Sequence, residues 1–189
     1  MPHLTLLIIR QAEKPKRAWP GPGLTPEGAQ DDESLVIRGW QRAGSWSALF
    51  GAGLGGIDFP RPGKIYAADP NDTTSDLTSH RPFETITPLA AQLSIAPVVK
   101  YALGQEADLV AGLLKQTGCA LVCWEHKSIV KTLLPLLAGA QSLAGLPTKW
   151  DSDRFDVVLR FDRSDPSALW SFRQLFPRLL SGDSDIAMS

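Results

Sequence analysis

The chain has 189 residues, a usual length for one domain and enough to bury a single large core. Hydrophobic residues make up 43% and charged residues 21%, proportions that argue against a disordered chain and against a membrane protein. The formal net charge is −1, so no overall basic field favours nucleic acid as a partner, and any anion-binding surface must be local.

The cellular location of the protein is predicted from the length of its apolar runs. Residues 4–9 form an apolar run that is too short for a signal-peptide core, and no basic residues precede it. No apolar run approaches the roughly 20 residues that span a bilayer, so we expect a cytoplasmic protein without membrane contacts. Cys119 and Cys123 lie four strand steps apart, about 13 Å, which exceeds the roughly 7 Å that a disulfide tolerates. We expect both to be reduced, buried thiols.

The first third of the chain predicts a strand, a loop and a helix. Residues 4–9 are leucine-rich and β-branched, which is typical of a strand buried on both faces in a parallel sheet. A proline- and glycine-rich loop follows over residues 15–28, and a helix is predicted from about residue 32 to 50, with acidic residues at the positive end of its dipole. The glycine-rich residues 51–56 are interpreted as a helix-ending linker, because a dinucleotide-binding motif needs a strand before it.

The rest of the chain alternates between strands and helices. Strands are predicted at residues 64–69, 97–102, 120–125 and 155–161, with a last one near residues 169–172. Helices are predicted at residues 80–93, with Ser79 as the cap, and at residues 106–116 and 127–137. This alternation predicts an α/β fold, a three-layer α/β/α sandwich with a mostly parallel central sheet, formed by residues 1–189 as one domain.

Candidate site residues follow the strands, because ligands of open α/β sheets bind beyond the carboxyl ends of the strands. The polar residues found there are Arg10, Gln11, Glu13 and Lys14 after the first strand, Ser79, His80 and Arg81 after the second, and Glu125, His126 and Lys127 after the fourth. Two arginines and a histidine are therefore expected at one rim. Arginine presents a planar fork of donors to phosphoryl oxygens, so the pattern predicts a phosphate-like ligand.

Several of these segments, in their order along the chain, resemble the histidine phosphatase superfamily, the phosphoglycerate-mutase-like proteins. Residues 9–15, Ile-Arg-Gln-Ala-Glu-Lys-Pro, resemble the family's first strand and its Arg-His-Gly or Arg-His-Ala-Glu ending. Residues 35–43 resemble the start of its first helix, and residues 79–85 resemble its Ser-x-x-x-Arg-x-x-x-Thr motif through Arg81, which lies four residues before Thr85. Residues 121–126 resemble the strand that delivers its second histidine, and residues 155–159 its late Phe-Asp strand. The resemblance covers nearly the whole chain and implies a phosphoglycerate-mutase-like fold.

The resemblance also implies roles for individual residues. In that family the first histidine attacks phosphorus and becomes a phosphohistidine, while two arginines and the second histidine hold the phosphoryl oxygens. Arg10, Arg81 and His126 match the holding residues, but Gln11 stands in the position of the nucleophile. An amide nitrogen lone pair is delocalised into its carbonyl, so Gln11 cannot form a phosphoenzyme, although it can donate a hydrogen bond to a phosphoryl oxygen. We therefore expect a pseudoenzyme that binds phosphate, a phosphorylated small molecule or a phosphoprotein.

Two alternatives remain open at this point. One is an active phosphomonoesterase or phosphomutase with an atypical nucleophile, and the other is a protein-interaction scaffold on the same fold. An acid that protonates a leaving group would be Glu13 or Glu125. Lys14, Lys16 and Arg17 are interpreted as a solvated loop beside the pocket, with recognition of a second anionic group as the alternative.

No cofactor or metal is expected from the sequence. Asp69, Asp72 and Asp76 share a polar loop that lacks the ligand spacing of an EF-hand. The three histidines are not spaced as zinc ligands. Of these, His3 and His80 are expected to be ordinary surface histidines.

Overall fold

A six-stranded sheet forms the centre of the computed structural model, which describes residues 3–73 and 79–189. The strands are β1 (Leu4–Arg10), β2 (Lys64–Ala68), β3 (Val98–Tyr101), β4 (Gly118–Trp124), β5 (Val158–Arg163) and β6 (Ser171–Leu175). Their order across the sheet is β3-β2-β4-β1-β5-β6. The four strands from β3 to β1 run parallel, and β5 and β6 are added antiparallel at one side. The α/β prediction with a mostly parallel sheet is confirmed.

The first strand lies in the interior of this sheet. All seven residues of β1 are buried, as expected for a strand covered on both faces. It pairs with β4 in register from Leu4 opposite Gly118 to Arg10 opposite Trp124. Because β1, β2 and β4 are parallel neighbours, their carboxyl ends meet at one edge of the sheet, and the residues that follow these strands are brought together there.

The helices cover both faces of the sheet. They are α1 (Ile37–Trp46) with a π-helical turn (Ser47–Gly51), α2 (Arg81–Leu93), α3 (Glu106–Leu113), α4 (His126–Ser128) with a π-helical turn (Ile129–Leu133), and α5 (Leu134–Ala138). Leu7 and Ile9 of β1 pack in a core with residues of α1 and α2. Leu4, Leu6 and Ile8 pack in a second core with residues of α3 and α5. Because side chains alternate between the two faces of a strand, β1 contributes apolar residues to the cores on both sides of the sheet.

The first helix begins later than predicted. It was expected from about residue 32, but α1 begins at Ile37, and residues 31–34 form a turn in which the Ser34 amide donates to the carbonyl oxygen of Asp31. The Leu35 amide donates to the Glu84 carboxylate of α2 at 2.9 Å. A turn carbonyl and a carboxylate from another helix thus accept from the backbone amides of Ser34 and Leu35, in place of the bonds of a helical first turn.

The bounds of two predicted elements near the carboxyl terminus differ from those expected. The strand expected at residues 155–161 begins at Val158 and runs to Arg163. The Asp156 carboxylate accepts hydrogen bonds from Arg154 and from the Ser184 amide, which hold the preceding residues against the C-terminal segment instead of the sheet. The last strand, predicted near residues 169–172, is β6, which begins within that range at Ser171 and continues to Leu175.

The helix predicted over residues 127–137 is interrupted by a π-helical turn before α5. Pro135 lies in the first turn of α5 and has no backbone N–H, so one bond of a continuous α-helical ladder is missing there. In the two segments that the structure describes, no helix is long and apolar enough to cross a membrane. Both cysteines are free; Cys123 is buried as predicted, but Cys119, at the start of β4, is only half-buried.

Candidate functional site

The first predicted site residues continue directly from β1. The backbone amide of Gln11 donates to the Trp124 carbonyl oxygen at 3.0 Å, which extends the pairing of β1 with β4 by one residue. Arg10 and Gln11 are both buried, at 2% and 6% exposure. The side-chain oxygen of Gln11 has no hydrogen-bond partner within the described part of the chain. A buried guanidinium and a buried side-chain amide thus occupy consecutive positions at this edge of the sheet.

The Arg10 guanidinium is held by the loop before β5. Its Nη1 donates to three carbonyl oxygens, those of Asp151, Ser152 and Arg154, at 3.1–3.3 Å. Its Cζ lies 3.9 Å from the centre of the Phe155 ring, a cation–π contact. Its Nε is buried and unpartnered among the described residues. Burial lowers the pKa of Arg10 to about 10, so the group remains a cation at neutral pH.

His126 lies between Arg10 and Glu125 at the carboxyl end of β4. Its Nδ1 is 2.7 Å from Glu125 Oε1 and 3.3 Å from Arg10 Nη2. Burial of the Glu125 carboxyl would raise its pKa, but hydrogen bonds from the His126 ring and from the backbone amides of Ser128 and Lys127 lower the pKa to about 2. Glu125 is therefore ionised at neutral pH. A hydrogen bond donated to it by Nδ1 of His126 would leave the lone pair of an uncharged imidazole on Nε2.

Arg81 comes from the first turn of α2. Ser79 accepts a hydrogen bond from the Arg81 backbone amide at 3.3 Å, but the prediction of Ser79 as the helix cap is off by one residue: the helix begins at Arg81 and its N-cap is His80. The Nη2 of Arg81 donates to the Asp32 carbonyl oxygen at 2.8 Å and lies 3.3 Å from a carboxylate oxygen of Glu33. Burial lowers the pKa of Arg81, and its Nε has no partner within residues 3–73 and 79–189.

These side chains meet at one cavity of about 480 Å³, which Gln11, Arg81, Glu125 and His126 all line. Arg10 approaches it through its contact with His126. Three segments that are far apart in sequence are thus brought together at the carboxyl ends of β1, β2 and β4. The structure thus brings Gln11, Arg81 and His126 to one cavity, whereas Arg10 does not line it. The size of the cavity suits a small ligand.

The three basic residues of the loop after β1 separate from one another. Lys14 lines the cavity, and burial together with the charges of Arg81, Arg10 and Lys127 lowers its pKa. Lys16 instead forms an ion pair with Asp153, and Arg17 is exposed to solvent. Lys14 thus belongs to the cavity, whereas its two basic neighbours do not line it.

The two candidate acids have different surroundings. Glu13 is fully buried, accepts hydrogen bonds from Arg42 at 2.8–3.1 Å and lies 3.3 Å from Arg38. It does not line the cavity. Glu125 does line it, but as an ionised carboxylate it has no proton to donate at neutral pH.

Some cavity residues were not among the predicted site residues. Glu33 and Lys131 line the cavity, and Lys127 was noted only as following the fourth strand. The spacing of four residues between Lys127 and Lys131 within a predicted helix could have indicated that they share a face. Glu33 had no such signal, because it was assigned to the first turn of a helix that begins later. Asp76 lies outside the described residues, and elsewhere no group of three or more His, Cys, Asp or Glu side chains could hold a metal ion.

We expect Glu125 to make the stability of the protein depend on pH. Its pKa in the folded state lies below the ordinary value of 4.5, so its stabilising effect is complete above that pH and is lost as the pH falls towards 2. Glu125→Gln should lower the free energy of unfolding by about 1–3 kcal/mol at pH 7. Urea unfolding from pH 7 to pH 3 should show this difference shrinking below pH 4.5.

Glu27→Gln provides the matched control, because Glu27 is exposed to solvent. It should change the free energy of unfolding by less than about 0.5 kcal/mol at each pH. A Glu125→Gln effect of constant size across this range would contradict the assignment of Glu125 as the ionised partner of His126.

Comparison with known proteins identifies the fold but no sequence relative. No family model matches the sequence, and no curated protein matches it. Mycobacterial glucosyl-3-phosphoglycerate phosphatase in complex with VO3 superimposes with a TM-score of 0.55 at 13% identity, over 90% of this chain and 96% of that chain. The protein histidine phosphatase SixA with tungstate gives 0.52 at 15% identity, over 92% and 97%. A histidine-to-alanine mutant of phosphoserine phosphatase from Entamoeba histolytica with phosphoserine gives 0.51 at 13% identity, over 89% and 96%.

At these identities the likeness concerns the fold alone. The chain has the histidine phosphatase-like, phosphoglycerate-mutase-like fold, and the fold that the sequence resemblance implied is confirmed.

Proposed function

We propose that this histidine phosphatase-like chain binds phosphate or a phosphorylated ligand in the cavity beyond β1, β2 and β4, and that it forms no phosphohistidine at residue 11. The observation that carries the proposal is that Gln11, Arg81 and His126 line one cavity, with Arg10 in contact with His126. A phosphoryl group would be held there by charge and by hydrogen bonds, while the residue beside it has no nucleophilic lone pair.

Unused hydrogen-bond donors support binding of an anion. The Nε atoms of Arg10 and Arg81 are buried and have no partner among the residues described. A buried donor of a charged group without an acceptor costs stability, and phosphoryl oxygens are strong acceptors that would satisfy it. Lys14 adds a further positive charge at the cavity. These donors are supplied by rigid elements, the end of β1 and the first turn of α2.

Gln11 supports binding without covalent chemistry. Its buried amide oxygen is unpartnered, and rotation of the amide by 180° places an N–H donor at the same point. The group can then donate to a phosphoryl oxygen, but it cannot attack phosphorus. The matched fold accommodates phosphate-like ligands in other proteins, since its neighbours carry VO3 and tungstate, and a histidine-to-alanine mutant of one neighbour carries phosphoserine.

A second candidate function is an active phosphomonoesterase that uses His126. The observation that favours it is the 2.7 Å contact between Glu125 and Nδ1 of His126. A carboxylate that accepts from Nδ1 would leave Nε2 with the lone pair of an uncharged imidazole. Carboxylate–imidazole pairs of this kind orient bases in hydrolases. In this alternative His126 would activate water or attack phosphorus itself, so activity would depend on His126 and not on residue 11.

Calorimetric titration with orthophosphate and orthovanadate tests the proposed binding. We expect both to bind at millimolar concentration or below, and Arg81→Gln to weaken binding by about tenfold or more, because a charged donor to the anion is lost. The matched control is Arg173→Gln, because Arg173 forms an exposed ion pair with Asp58 away from the cavity. The control should change affinity by less than about twofold. Binding of neither anion, or equal loss in both variants, would contradict the proposal and favour an interaction scaffold.

A further inference from the structure

A second cavity adjoins the proposed phosphate cavity. It measures about 650 Å³ and shares His126, Lys127 and Lys131 with the first cavity. Its opposite wall is the segment before β5, where Lys149 and Trp150 line it. The two cavities are therefore neighbouring parts of one cleft, and a ligand held by its phosphoryl group in the first could extend into the second.

The wall that carries Lys149 is anchored to the body of the protein. The Thr148 amide donates to the Ser189 carbonyl oxygen at 3.0 Å. Trp150 is 4% exposed, and its indole N–H donates to the Arg154 carbonyl oxygen at 2.7 Å. Because both neighbours of Lys149 are fixed, its backbone is held in place while its exposed side chain borders the cavity.

The charge of this second cavity is positive in balance. Three lysines line it, Lys127, Lys131 and Lys149, against the two aspartates Asp151 and Asp153. Asp153 is already paired with Lys16, which neutralises much of its charge. The lysine ammonium groups are flexible point charges without the planar fork of arginine, so they suit dispersed phosphoryl oxygens better than a single planar carboxylate.

We propose that the ligand of this protein carries two or more phosphoryl groups joined in a chain, and that Lys149, together with Lys127 and Lys131, binds the second phosphoryl group in this adjoining cavity. The inference rests on the proposed function, which places the first phosphoryl group at Arg81 and His126. Lys127 and Lys131 line both cavities and so lie between the two anionic groups. Lys149 borders only the second cavity and is therefore the residue that distinguishes a chain of phosphoryl groups from a single one.

Titration of the full chain with orthophosphate and with tripolyphosphate at constant ionic strength tests this inference. We expect tripolyphosphate to bind at least about tenfold more tightly than orthophosphate. Lys149→Gln should weaken tripolyphosphate binding by about threefold to tenfold, as expected for one solvent-accessible charge contact, and should leave orthophosphate binding within about twofold. The matched control is Lys115→Gln, which removes the same charge at a residue that lines neither cavity. It should leave both affinities within about twofold.

The outcomes separate the two proposals. If orthophosphate binds and depends on Arg81, but Lys149→Gln does not weaken tripolyphosphate more than Lys115→Gln does, the second site is refuted and the proposed function stands. If Lys149→Gln weakens both anions equally, its effect is a general one and the second site is again refuted. If neither anion binds to the natural protein, both proposals are refuted.

Discussion

Gln11→His should turn over an aryl phosphate at least about a hundredfold faster than the natural protein, because it introduces a nucleophilic imidazole into a site that already carries two arginines and His126. Gln11 lies at the end of β1 beside Arg10 and is held there by its backbone bond to Trp124. An aryl phosphate is the appropriate substrate since a phenolate leaves without protonation, and Glu125 is ionised and has no proton to give. Release of the phenol would measure turnover. Phosphate that labels the variant in an acid-labile, base-stable form would identify the phosphohistidine.

Two variants control this experiment. Gln11→Asn keeps an amide and should remain as inactive as the natural protein, and His126→Ala in the Gln11→His background should lose most of the acquired turnover. Robust turnover by the natural protein that His126→Ala abolishes would contradict the pseudoenzyme proposal and favour the second candidate function. A Gln11→His variant that binds vanadate but remains inactive would show that residue 11 does not stand in the position of a nucleophile.

The fold could be predicted from the sequence where burial requires a local pattern of apolar residues. In the run from Leu4 to Ile9 every residue except Thr5 is apolar, so both faces of the strand carry apolar side chains, as a strand covered on two faces requires. Boundaries were less readable because they depend on partners from distant segments. The start of α1 is set by Glu84 of α2, and the start of β5 by the Ser184 amide. The residues at the start of α1 or of β5 do not indicate that Glu84 or Ser184 will be the partner, because these partners are distant in the sequence.

The site was readable in part for the same reason. Arg10, Arg81 and His126 could be expected to meet because each follows a parallel strand, and such strands end at one edge. Their individual hydrogen-bond partners could not be predicted. Arg10, for example, donates to carbonyl oxygens of residues that lie 141, 142 and 144 positions further along the chain. The adjoining cavity was also hidden, because Lys149 lies in an irregular loop that has no periodic pattern.

The largest effect on stability is expected at Arg42. This residue does not line the cavity, but it is paired with Glu13 of the loop that follows β1. The Arg42 side chain is 2% exposed and joins Glu13, at 0%, to Asp183, at 4%. Although burial opposes its charge, the hydrogen bonds that Arg42 donates to the Asp183 and Glu13 carboxylates raise its pKa, so it is ionised at neutral pH. Arg42→Met should lower the free energy of unfolding by about 3–5 kcal/mol, because it leaves the Asp183 carboxylate without its cation and the fully buried Glu13 with Arg38 as its remaining cation, at 3.3 Å.

Urea unfolding at pH 7 measures this effect, with Arg173→Met as the matched control. Arg173 and its partner Asp58 are about half exposed, at 50% and 46%, so the control should cost less than about 1 kcal/mol. Adding Glu13→Gln and Asp183→Asn to Arg42→Met should restore part of the lost stability, because neutral amides remove the unpaired buried charges. A loss in Arg42→Met no greater than in Arg173→Met would mean that the buried cluster does not hold the C-terminal segment against the loop after β1. The position of Gln11 would then have to depend on β1 and β4 alone.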